Sequence, residues 1–304
     1  MARYQIWLLL TIMVGLLGLG GANCRGLVGP PTPLSRALPP SPTLEQVIQV
    51  VNHNNSQIHS FSANEAKLSG PGFPTLRANL AYQRPNRLRL RADHITGPEL
   101  DVGSNEELFW FWVKRNQPPA VYYCRHDQFA TSAARGMTPI EPQWLIEALG
   151  IAELDPSLPH QGPFPLSGGR VEIHTIRETP GGPATKVTVV DSVRGVVVEQ
   201  RVFDSQGRLM ASSVAGGHRR DAVTQLVMPR IVEINCPAAQ ISMKIDLGRV
   251  LINRLTGNPA ELWVMPAYQG SPAVDICNPG FRPPPQQPAS FPRSRMAGRD
   301  SNRR

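Results

Sequence analysis

From Ile58 onward, hydrophobic and polar positions mostly alternate in short runs. "IHSFSANEAKL", "TLRANLAYQ", "RLRLRAD", "ELDVG", "ELFWFWVK" and "AVYYCR" are separated by Gly, Pro or Asn turns, the pattern of an antiparallel meander. Leu88 and Leu90 oppose Arg87, Arg89 and Arg91, which predicts one apolar face and one wet convex face. The second half continues in the same style with "GRVEIHTIRE", "ATKVTVVDS", "GVVVEQRVFD", "GRLMASSVAG", "PRIVEINC" and "ISMKIDLGRVLIN". These runs share no fixed period, which argues against a propeller or solenoid. Two segments have helical spacing instead. Thr43 with Gln46 three residues later forms a capping box, and Leu44, Val47, Ile48 and Val51 make one apolar stripe that ends near the polar run "NHNNS". Between the two strand-rich halves, "TPIEPQWLIEALGIAELDP" has Pro142 near its first turn, Gly150 after its last, and Trp144, Leu145, Ala148 and Leu149 on one side. A helix inserted mid-sheet must cover something. The expected fold is mainly β: one strongly curved antiparallel sheet with the N-terminal helix and the inserted helix across its concave face.

The run Phe109, Trp110, Phe111 and Trp112 is unusual in a chain that is 6% aromatic. Alternate residues of a strand point to opposite sides, so two rings face each way. Either both faces are covered or one of them holds an apolar ligand. One alternate pair is then expected to contact ligand or helix; in the bland alternative the rings fill a closed core.

The chain has 304 residues, 41% of them apolar, and a formal charge of +8. Its ends carry much of what is unusual. Arg3 precedes an apolar run from Ile6 to Leu19 and then small residues up to Asn23. That run falls short of the roughly 20 residues of a membrane span and suits a secretory signal over 1–23. Cys24 directly after it looks like the lipid-bearing cysteine of a bacterial lipoprotein; the alternative is cleavage near Ala22. Residues 24–41 read as a Pro-rich tether, 42–279 as the folded domain and 280–304 as a disordered Arg/Pro-rich tail. Six arginines in the tail, against Asp300, hold most of the basic excess outside the fold. A nucleic-acid partner needs a basic face on a folded surface, so none is expected. If Cys24 carries lipid, three cysteines remain in an oxidising compartment; Cys236 and Cys277 are candidates to pair, leaving Cys124 a buried free thiol.

Catalytic constellations are hard to assemble. The seven histidines are scattered, "CRH" at Cys124 to His126 is a lone pair of ligand types, and neither metal nor cofactor is expected. The chain has no GxSxG, and a triad of Ser104, Asp101 and His94 has to be drawn by choosing residues freely. Asp101, Glu106 and Glu107 sit in or beside turns, where carboxylates are usually solvated. The reading is of a protein that is not an enzyme.

The helix "LEQVIQVVNHNNSQI" followed by "HSFSANEAKL", then "LAYQRPNRLRLRA", then "GSNEELFWFWVKRNQPPAVYY" resembles, in order, the motifs of the LolA and LolB lipoprotein-carrier superfamily. The resemblance covers roughly Leu44 to Tyr123 and beyond that rests on strand order. It implies an incomplete β-barrel with a helical lid, whose cavity takes up acyl chains of a lipid or lipoprotein on the periplasmic side of a membrane. Arg84 before Pro85 matches the family's lid-bonding arginine, Trp110 to Trp112 its aromatic strand, and Trp144 to Leu149 its lid. The implied cavity and lid set is Arg84, Leu88, Leu90, Phe109, Trp110, Phe111, Trp112, Trp144, Leu145 and Leu149. A lipid anchor at Cys24 would be closer to LolB than to LolA, although LolB's protruding apolar loop has no convincing counterpart. The alternative is an envelope scaffold that keeps the fold and has filled its cavity.

Overall fold

The computed structural model describes residues 36–132, 135 and 142–282. The signal segment, Cys24, most of the tether and the arginines of the tail beyond Arg282 lie outside them. Helix α1 (Leu44–Ser56) starts where the capping box places it, with both reciprocal bonds between Thr43 and Gln46 present. It runs through the polar "NHNN" stretch rather than stopping before it.

The first meander is β1 (Ser60–Gly70), β2 (Phe73–Gln83), β3 (Arg87–His94), β4 (Gly97–Ser104), β5 (Leu108–Val113) and β6 (Val121–Arg125). Two short helices follow, α2 (His126–Phe129) and α3 (Pro142–Ala148). The second half supplies β7 (His160–Leu166), β8 (Arg170–Thr179), β9 (Gly182–Asp191), β10 (Val196–Phe203) and β11 (Leu209–Gly216). Next come a small hairpin, β12 (Arg219–Arg220) with β13 (Val227–Met228), and then β14 (Ile231–Cys236), β15 (Ile241–Asp246) and β16 (Leu251–Ile252). The chain ends in α4 (Pro259–Leu262) and β17 (Ala273–Asp275).

All strands but β12 and β13 join one 15-stranded sheet in the order β17-β6-β5-β4-β3-β2-β1-β15-β14-β11-β10-β9-β8-β7, with β16 also on β1. Each half is thus a meander in sequence order, and β1 pairs with β15 to join them. The sheet curves without closing into a barrel. Register assigns its faces. Phe61, Tyr82 and Leu88 lie opposite one another across β1, β2 and β3, and Leu80 faces Leu90. These residues and Ile245, Val232, Ile234 and Ala211 from the other half form the main core with Trp144, Ile146, Ala148 and Leu149 of the α3 region. Helix α1 covers the other end of the same face, packing Val47 and Val51 on Val171, Ile173, Val190 and Val197. Both helices therefore lie on the inner face, as the periodicity predicts.

Three features depart from expectation. Strand β7 was not legible, because Pro163 and Pro165 interrupt it; at the edge of the sheet a missing N–H does not break a ladder. The chain is held before Thr43, with Ala37 N–H donating to Val193 O at 3.0 Å and Leu38 buried. The disulfide joins Cys124 to Cys277, not Cys236 to Cys277. The reason is topological: β17 runs parallel to β6 with Asp275 opposite Tyr123, which puts Cys277 beside Cys124 with their Cα atoms 5.3 Å apart. Cys236 sits on the inner face of β14, fully buried, and burial pushes its thiol up to about 12.

The Cys124–Cys277 bridge spans a separation of 153 residues and should contribute about 5 kcal/mol through chain entropy. Cys124→Ser/Cys277→Ser is expected to lower the urea midpoint with little change in fold. Cys236 is expected to stay inert to an aromatic disulfide reagent at pH 8 until the protein unfolds, since its thiolate is not populated there; labelling of the native protein checks this.

Candidate functional site

The polar end of α1 is a docking surface. Asn52 Nδ2 donates to Leu154 O and its Oδ1 accepts from Leu154 N–H, both at 2.8 Å. Asn54 makes the same two-way bond with the backbone of Val227, and buried Asn55 donates to Ala152 O. Three amides thus hold the segment that follows α3, and β13, against the first helix. Arg84 completes the junction from the end of β2. Its Nε donates to Ile58 O at 2.9 Å, its Nη2 to Asn55 O at 2.6 Å, and the guanidinium pairs with Glu153. Arg84 therefore binds backbone at the helix end and a carboxylate just beyond α3. Burial raises the nearby Tyr82 hydroxyl to about 12, so it stays a neutral O–H at any physiological pH.

The inner face is packed where Leu88 and Leu90 lie; both are buried in one core with Trp144 and Leu149 of the α3 region, while Leu145 is partly exposed. It opens at the ends of the β8–β9 and β10–β11 hairpins. There a cleft of about 260 Å³ runs between α3 and the sheet. Trp144, Ala184, Val202, Met210 and Ala211 give it an apolar floor, and Arg177, Lys186, Arg208, Glu147 and Asp204 add charge. Lys186 Nζ donates to Glu147 Oε2 across the inner end of the cleft, and Ser205 Oγ ties the two hairpins together by donating to Gly181 O at 2.8 Å.

A curved open sheet with helices on its inner face has counterparts among solved structures. An outer membrane lipoprotein-sorting protein domain from Vibrio parahaemolyticus aligns over 72% of this chain and 97% of its own, at TM-score 0.50 and 9% identity. The chain has a LolA-like fold. A LolA superfamily protein from Nitrosomonas europaea (73% of this chain, 97% of that one, 10% identity, TM-score 0.45) and a DUF1329 family protein from Desulfovibrio piger (69%, 93%, 10%, 0.46) also align. No protein-family model and no curated protein matches the chain by sequence.

The register of the LolA-like sheet sorts the aromatic strand. Phe109 and Phe111 pair with Cys124 and Tyr122 and share the face of Leu88 and Leu90; Phe109 is buried against Phe129. Trp110 and Trp112 point outward, opposite Gly103 and Asp101, and line no part of the cleft. They are covered by the segment around α4: Trp112 stacks on Tyr268 with centroids 3.8 Å apart, and its Nε1 donates to Ser271 Oγ at 3.1 Å. Trp110 lies across Gly103, where a Cβ would come within 2.1 Å of its ring.

That cover overturns the expectation of a wet outer face. Arg89 is 6% exposed and Asp101 fully buried. Arg89 Nη2 donates to Asp101 Oδ2 at 2.6 Å and Nη1 to Val264 O at 2.7 Å, and its guanidinium lies over the Trp110 ring. Tyr268 O–H donates to the same carboxylate at 2.8 Å; burial first, then that carboxylate, raises its pKa. Arg91, half-exposed, and Arg87, about a third exposed and paired with Glu106, still meet water as expected; Arg89 alone of the three is covered. The alternation of charge and apolar residues in β3 conceals this, because a cover arriving some 170 residues later leaves no local signal.

The triad drawn from Ser104, Asp101 and His94 does not assemble, since Asp101 and Ser104 occupy opposite faces of β4 and His94 meets Thr96. Ser104 instead meets His126, Oγ to Nε2 at 3.2 Å. The same Nε2 lies 3.0 Å from Asn105 O, an acceptor that calls for the proton on that nitrogen. With its N–H there, His126 is no base toward Ser104.

Arg89→Leu is expected to cost about 3–5 kcal/mol, because it strands Asp101 in the interior, whereas Arg91→Leu should stay within about 1 kcal/mol; urea titrations of both variants compare them. Arg84→Leu should fold, lose about 1–3 kcal/mol and expose the 151–155 backbone to faster hydrogen exchange. Unchanged exchange there would remove Arg84 from the helix junction.

Proposed function

We propose that this protein is a non-enzymatic carrier or acceptor of acyl chains, from a lipid or lipoprotein, in the cell envelope. The observation that carries the reading is the apolar-floored cleft between α3 and the open end of the half-barrel. Its volume admits part of a chain; the rest would enter beneath α3, over Leu88, Leu90, Phe109 and Phe111, with Leu145 and Leu149 moving with the helix. Each methylene transferred there would gain about 0.8 kcal/mol. Arg84, at the junction of both helices, would set how readily the cover moves. Trp110 and Trp112 support the wall from behind and take no part in contact. The N-terminal signal fits export, and Cys24 would hold the carrier at the periplasmic side of a membrane, the tether spacing it away.

A second reading has its own support: Leu88, Leu90, Ile146 and Leu149 already fill the inner face. On that reading the protein is an envelope scaffold whose cavity is packed shut.

The two separate in native mass spectrometry of the exported full chain. A carrier brings with it a mass that dissociates into acyl chains, or takes one up when lipid is added; a scaffold stays clean. Trp144 is the cleft's reporter among the described tryptophans. An acyl ligand should shift the emission of the native protein and of Trp112→Phe, but leave Trp144→Phe unchanged; a persisting shift in Trp144→Phe would place the ligand elsewhere.

A further inference from the structure

An inner face built to exchange apolar chains needs no charge beneath its cover, yet this one keeps two. Lys186 on β9 is 8% exposed and Glu147 on α3 is 5% exposed, and they pair with each other. Burying such a pair usually gains no more stability than an apolar pair of equal volume, while removing one partner is expensive. The two charges belong to different parts of the fold, Lys186 to the sheet and Glu147 to the helix over it. Gln200 Nε2 fixes the second from below by donating to Glu147 O at 2.9 Å. Among the described residues, Gln200 Oε1 and Trp144 Nε1 are buried without a partner, so the polar wall around the pair is incompletely satisfied. Further out, Arg208 is engaged by Asp204, while Arg177 forms no ion pair among the described residues.

Lifting α3 to admit a chain takes Glu147 away and leaves Lys186 without its counter-charge on a wall whose polar groups are already incompletely satisfied. A neutral ligand meets that cost in full. A ligand that brings its own anion cancels it. We propose that Lys186 is an anion-recognition residue and that the cleft selects acyl amphiphiles with an anionic head: the ligand's carboxylate or phosphate replaces Glu147 on Lys186, with Arg177 beside it, while the chain passes under α3. This rests on the carrier reading and adds the charge of the cargo to it.

The test is equilibrium binding to the full chain, by calorimetry, of laurate, of uncharged monolauroylglycerol with the same chain, and of acetate as the head alone. Native protein is expected to prefer laurate to monolauroylglycerol by about tenfold or more, the scale of a desolvated charge gaining its partner. Glu147→Gln, which removes the resident competitor, should tighten laurate further. Because either single change strands a charge, the deciding variant is Glu147→Gln/Lys186→Met, which removes both; it should bind the two acyl ligands alike. Equal affinities in the native protein, a preference that survives in the double variant, or acetate binding as tightly as laurate would each overturn the proposal. If monolauroylglycerol binds and no preference appears, the charge assignment alone fails. If neither acyl ligand binds, the carrier reading fails first and takes this proposal with it.

Discussion

A sheet that curves but does not close leaves its inner face without a strand to cover it, and that constraint organises the molecule. The apolar residues of β1 to β3 and of β11, β14 and β15 face inward and can leave water only if helices arrive from elsewhere in the chain. Helices α1 and α3 are 13 and 7 residues long, too short to be held by their own hydrogen bonding. Their position is fixed by packing and by polar clamps at one junction. Asn52, Asn54 and Asn55 bind backbone directly, and Arg84 reaches both the end of α1 and Glu153. A run of asparagines that looks like a helix terminator is the surface on which the segment trailing α3 is seated.

Much of this was legible in the sequence wherever the signal was local. The capping box at Thr43, the alternating strands and the apolar stripe of the inserted helix each reflect periodicity within a dozen residues, and all three elements form. Motif order pointed to the right fold; Arg84 binds backbone at the end of α1, at Ile58 and Asn55, and meets the segment after α3 only through the Glu153 carboxylate. What escaped depends on distant parts of the chain. Asp101 reads as a turn carboxylate and Arg89 as a solvated arginine until Leu262, Val264 and Tyr268 are laid over them. The disulfide followed the parallel pairing of β17 with β6, which no spacing of cysteines encodes. Lys186 and Glu147 are ordinary residues of a strand and a helix; only their meeting, across 39 positions, makes them notable. The aromatic run posed the right question, and register answered it by sending the phenylalanines inward and the tryptophans outward.

The two faces differ in what holds them. Inside, cover and sheet meet through apolar side chains, the Lys186–Glu147 pair and the bond from Gln200 to Glu147 O, with Arg84–Glu153 at the junction. Outside, the segment after β16 crosses the sheet with both ends secured, by the pairing of β16 on β1 at one end and by β17 and the Cys124–Cys277 bond at the other. Between those anchors it grips Arg89, Asp101, Trp110 and Trp112. Mechanically, this makes the back of the half-barrel a braced plate. On the carrier reading, strain imposed on the wall by an occupant would meet this brace, and compliance would fall to the mouth and its helix. For a carrier, the braced wall would hand each new occupant the same shape it gave the last.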